Sequence, residues 1–318
     1  MRRSTVVTLC TINLVASCIA LIFVFKPYFF PRKQQVIEPS APLASPSENP
    51  PVSIEEAWGN FLKSRNRNEA FFFALSMLPQ TPETGSRLAE YVSEKLEPFP
   101  RVMWGRSYID QIAAAIGASE PWLDYGSDRT QTLENASANH VMPIPIRDSA
   151  LRAVIGSAHR KRLQNPDAGP SGWQAHLAAF LTETDFGDDT SIGGLAVQAA
   201  LFVRNEKIAP VEPAFFERRI QTVLGNRDGV NEFTLCAILD TTAQLDVPEV
   251  AGLVREIVRR PPSEAVQLAG LRALSRNGHY GDAAWLETVP APTPAIHSAL
   301  LDTQRILQEK PERKSGSW

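Results

Sequence analysis

The chain has 318 residues, 43% hydrophobic and 21% charged, a balance that supports a folded body rather than a disordered or fibrous chain. Residues 1–33 hold five basic side chains and no acidic one, so the net charge of −3 divides into +5 at the N-terminus and −8 over the rest. The acidic body argues against binding nucleic acid, which needs clustered Lys and Arg. Its lone cysteine, Cys236, leaves no disulfide framework there.

The first predicted element is the uncharged run Val6–Phe25, VVTLCTINLVASCIALIFVF. Twenty helical residues rise roughly 30 Å, the thickness of a bilayer core. Lys26, Tyr28, Phe29, Phe30, Arg32 and Lys33 follow it and suit a membrane interface. Residues 1–33 are therefore read as a signal-anchor with a single transmembrane helix over 6–25. Two alternatives stay open. A cleaved signal peptide requires a shorter apolar region and a small-x-small site. Val15–Cys18, VASC, resembles a bacterial lipobox, but seven apolar residues follow Cys18 where a lipidated cysteine leads into polar chain. Basic residues flank the run on both sides, and the short N-terminal tail favours a body on the non-cytoplasmic, periplasmic or extracellular, side.

Residues 34–53 carry prolines at 39, 42, 46, 50 and 51 with serine and alanine between them. Proline removes backbone donors and stiffens extended chain, so this segment reads as a semi-rigid tether.

From Ile54 onward apolar residues recur at helical spacing and almost no strand alternation appears. Ile54, Trp58, Phe61 and Leu62 share one face, and Ser53 with Glu56 forms a capping-box signature. About a dozen helices follow, separated by short Gly, Pro and Asp turns, up to Lys310. The polar tail 311–318 reads as disordered. Small and large apolar residues recur along the later helices. Ala237 and Leu239 match Ala269 and Leu271 at an offset of 32 residues, and Ala299 and Leu301 at a further 30. Earlier, AAAIGA (113–118) matches RAVIGS (152–157) at 39. Unequal periods of 30–40 residues predict a degenerate array of helical pairs over 54–310, with Ala237, Ala269 and Ala299 on the first helix of each pair.

The segment AGLRALSRNG…GDAAWLETV (269–289) resembles HEAT and armadillo repeats, and Gly278-His279-Tyr280-x-x-Ala283 resembles a tetratricopeptide repeat as second choice. The resemblance covers about 145–310 and is clearest over 232–305. It implies an α-α superhelix that binds other proteins on an extended surface, and it implies no catalytic residue.

The chemistry-bearing residues are scattered. His140, His159, His176, His279 and His297 include no pair at the i, i+4 spacing of a helical metal site. Asp185, Asp188 and Asp189 lack the alternating ligands of a calcium loop and read as caps for the following helix. Asn135-Ala136-Ser137 fits a glycosylation sequon. The possible interaction surface comprises the basic residues Arg152, Arg160, Lys161 and Arg162 with the aromatics Trp122 and Tyr125 of EPWLDYGSDR (120–129). No catalytic, metal or cofactor residue is assigned. The expected protein is an all-α, membrane-anchored, non-enzymatic scaffold with protein partners and no nucleic acid. The alternative is an α/α-toroid hydrolase or glycan- or lipid-binding domain, for which Glu120 and Asp124 are the carboxylates to test.

Overall fold

The structure is a computed structural model that describes residues 53–64, 68–96, 105–166 and 171–310. The predicted span 6–25, nearly all of the tether 34–53 and the tail 311–318 lie outside the described residues. Among those residues no helix is long and apolar enough to cross a membrane. All of them lie in one contact unit, Val52–Trp318.

Periodic apolar residues, proline starts and polar N-caps define fourteen α-helices and no strand among the described residues. They are α1 Ile54–Lys63, α2 Asn68–Ser76, α3 Pro82–Leu96, α4 Arg106–Ser119, α5 Asp128–Ala138, α6 Ile144–Gln164 and α7 Gly172–Glu183. They continue as α8 Ser191–Asn205, α9 Pro213–Gly225, α10 Glu232–Gln244, α11 Ala251–Arg259, α12 Glu264–Asn277, α13 Asp282–Leu286 and α14 Pro294–Gln308. Ser53 caps α1 by accepting the Glu56 N–H at 3.2 Å. Helix α5 is not announced by apolar periodicity, because its buried side is Thr130, Leu133, Glu134, Ala136 and Ser137.

Every odd helix packs on the even helix that follows it, giving seven hairpins. The even helices α2 through α14 stack on one another in series as a continuous layer, and the odd helices form a sparser second layer. This is a helical-repeat-like all-α fold, in which each unit rests on its sequence neighbours. The pairing is one helix out of step with the sequence expectation. Ala237, Ala269 and Ala299 lie on α10, α12 and α14, the second helices of their units. The stretch 263–289 is accordingly a link between units, because α13 has only five residues and packs on α14.

The repeat offsets reappear at the helix starts. Asn231, Ser263 and Thr293 are the N-caps of α10, α12 and α14, again 32 and 30 residues apart. Cap hydroxyls also join neighbouring units: Ser263 Oγ donates to Glu232 at 2.6 Å and Thr293 Oγ1 to Glu264 at 3.0 Å. Leu239 and Leu271 are buried, whereas their counterpart Leu301 is 53% exposed, since no further described helix stacks on α14. At the α8–α10 contact Gly194 has no room for a Cβ, which would lie 2.7 Å from Thr234 Cα. The Thr234 hydroxyl accepts the Gly194 N–H at 2.9 Å and donates to the Thr190 carbonyl at 2.7 Å.

Candidate functional site

The two segments singled out in the sequence, 120–129 and 159–164, pack against each other. After α4 the chain makes a 3-10 turn, Glu120–Trp122, and crosses toward α5. Arg160 of α6 grips this crossing by donating to the Glu120 carboxylate, the Glu120 carbonyl and, at 3.3 Å, the Leu123 carbonyl. Lys161 Nζ donates to the Tyr125 carbonyl at 2.5 Å and lies 3.6 Å from Asp124. Gly126 follows with φ of 93°, a left-handed turn that glycine adopts without a Cβ clash. Its N–H is accepted by Thr130 Oγ1 at 2.9 Å, which locks the loop onto the first turn of α5.

The predicted surface residues therefore have mostly structural partners. Trp122 is half-buried against α3, where Gly85 leaves it room: a Cβ there would fall 1.9 Å from the indole. Tyr125 requires a correction, because it is 1% exposed and is not a surface aromatic. Its ring is apolar, and the loop turns it inward while Asp124 faces solvent. Arg152 pairs with Asp148 of its own helix at 2.8 Å and 3.0 Å, and Arg162 contacts the Asn165 carbonyl at 3.4 Å. Glu120 is mostly buried on Arg160 while Asp124 is well exposed beside Lys161, so the two carboxylates are not matched across a shared space.

The aspartates before α8 are a second correction. Thr190 is the N-cap and accepts the Ile192 N–H at 3.4 Å. Asp185 accepts the Gly187 N–H at 2.9 Å within the turn, and Asp188 pairs with Arg219. Among the described residues no group of three or more His, Cys, Asp or Glu is arranged to hold a metal ion.

Beside Tyr125 lies a cleft of about 320 Å³, between α5 and α7. These odd helices do not pack closely on one another, and the cleft is the gap they leave in the outer layer. Tyr125, Thr130, Gln131, Glu134, Trp173 and His176 are among its lining residues. Glu134 is buried, with 4% of its side chain exposed, and His176 Nε2 lies 2.8 Å from its carboxylate. An ionised carboxylate only accepts, so Nε2 carries the proton and Nδ1 is left as the ring's acceptor when His176 is neutral. The imidazole itself is 52% exposed. The Tyr125 hydroxyl is buried beside the Glu134 carboxylate, within its hydrogen-bonding influence though not in good geometry. Burial first, and then the nearby Glu134 charge, push its pKa up, so it stays a neutral phenol. Trp173 meets the Tyr125 ring edge-on at 5.5 Å and has Lys161 Nζ 5.8 Å from its centre.

The sequence did not single out Glu134 or Trp173, and His176 appeared only as one scattered histidine. Glu134 and His176 stand 42 residues apart on two units, so no local spacing joins them. The cleft has room for a small polar molecule. The Ser127 and Thr130 hydroxyls are committed to backbone carbonyls and present no activated nucleophile. No protein-family model matches the chain, and neither a curated protein nor a solved structure matches it.

Proposed function

We propose that this protein is a membrane-anchored interaction scaffold. In this reading the N-terminal run 6–25 is the anchor, residues 34–53 the tether, and the HEAT-like helical array a binding platform on the non-cytoplasmic side. The supporting observation is the serial stacking of seven hairpins among the described residues, each resting mainly on its neighbours. Such arrays offer long surfaces whose length exceeds what stability alone requires, and they serve widely as protein-binding platforms. The anchor is supported by the uncharged 20-residue run and its aromatic and basic flank.

The test is site-directed photo-crosslinking of the full-length chain in its native membrane, with probes on exposed positions of each odd helix. The scaffold reading expects one reproducible protein partner, captured from a contiguous run of units, and that partner's compartment reports the body's side of the membrane. Absence of any partner above background from every position overturns it.

A further inference from the structure

We infer that the cleft between α5 and α7 is a binding site for a neutral sugar ring. The site combines an aromatic surface with polar groups of both hydrogen-bonding senses. Trp173 supplies a ring on which the C–H face of a pyranose can rest. Glu134 only accepts, and Gln131 both donates and accepts through its amide. His176, fixed through Nε2 by Glu134, lines the same space. Sugar hydroxyls donate and accept equally well and match this mixed set.

Charge selects among polar ligands. A buried carboxylate, Glu134, opposes an anion in the cleft. Lys161 already holds its ammonium near the Trp173 ring and opposes an incoming cation at that surface. A neutral polyhydroxylated molecule escapes both penalties. The volume of about 320 Å³ lies at the small end of ligand clefts, which suits one or two rings rather than a long chain. The site is carried by two neighbouring units and does not depend on the array having a protein partner, so its failure and that of the scaffold reading are separate results.

The experiment is saturation-transfer NMR on the full-length chain, held in a detergent without a sugar headgroup. The probes are the methyl glycosides of glucose, galactose and mannose, N-acetylglucosamine, glucuronate and glucosamine. At least one neutral sugar is expected to bind with Kd on the order of 1 mM, and glucuronate and glucosamine about tenfold more weakly. Trp173→Ala and Gln131→Ala are each expected to weaken the neutral sugar about tenfold. Gln131 is exposed, so its variant keeps the wild-type melting temperature and separates loss of binding from loss of fold. The proposal is overturned if no neutral sugar transfers saturation up to about 30 mM. It is equally overturned if the charged sugars bind as well as the neutral ones, or if binding survives Gln131→Ala unchanged.

Discussion

From α10 to α14 and from α4 to α7 the chain follows the same two-layer plan, yet the two regions are tied differently. In the first, N-caps fall 32 and 30 residues apart, and Ser263 and Thr293 bond directly to Glu232 and Glu264 at the start of the preceding even helix. Asn277 repeats the theme in the interior by donating to the Thr242 carbonyl at 2.7 Å and accepting the Val247 N–H at 2.7 Å. In the second, the equivalent starts of α4 and α6, Gly105 and Pro143, lie farther apart and neither has a capping side chain. The additional residues form the crossing 120–127, and long basic side chains from α6 hold it. Regular spacing lets each unit bond its neighbour through short polar side chains beside longer ties such as Arg272–Asp240 and Arg255–Asp282. Where the spacing lengthens, Arg160 and Lys161 hold the inserted crossing, and a cleft remains beside it.

The largest expected effect tests the second region. Arg147 is among the largest fully buried side chains and donates to the Ser137 carbonyl at 2.8 Å and the Phe186 carbonyl at 2.9 Å. It thereby joins the end of α5 to the turn before α8. Arg147→Met removes both donors and strands two buried carbonyls, so it is expected to cost about 3 kcal/mol in equilibrium denaturation. A loss below about 1 kcal/mol would show that the irregular region does not depend on such ties. In the regular region, Asn277→Leu leaves the buried Val247 N–H unpaired and the Thr242 carbonyl with only the Leu245 N–H, for about 2 kcal/mol. Because units rest mainly on neighbours, amide exchange should quicken in α10–α14 and stay unchanged in α4–α6. Uniform quickening along the chain would erase the distinction between the regions.

The smallest effect is a pH dependence at the crossing. His159 packs edge-on against Phe202 at 5.3 Å, and its pKa lies below the ordinary value. Burial is the main cause. Arg160 also lowers it, while Glu206 and Glu120 oppose the shift. The folded state therefore resists protonation that the unfolded chain accepts. Stability from this group is full above the unfolded pKa of about 6.5 and declines as pH falls toward the folded value. His159→Gln should flatten the drop in melting temperature between about pH 7.5 and about pH 5.5; an unchanged slope would remove His159 from the balance.

Much of the fold was legible because burial of apolar side chains has a period. The helices around Phe61, Ile116, Ile238 and Leu271 each declare themselves by apolar spacing, and the 32- and 30-residue offsets reappear in the caps. Helix α5 was illegible for the opposite reason: its buried positions include Thr130, Glu134 and Ser137, which look like solvent-facing residues in a linear reading. Glu134, Thr130 and Gln131 of this helix line the cleft, so the missed helix and the missed site are one omission. The partner of each helix was also hidden. Apolar spacing shows that α12 is buried, and only the packed structure shows that α10, α11 and α14, rather than the short α13, cover it.

The sequence by itself determined the helical class, most of the helices and the repeat offsets, since these follow from local propensity, caps and apolar period along one chain. Tertiary structure decided which helices pair, that Tyr125 turns inward, and that Glu134 meets His176 across the gap between two units. Those outcomes depend on contacts between residues tens of positions apart, and their geometry is set by packing rather than by any spacing the sequence displays.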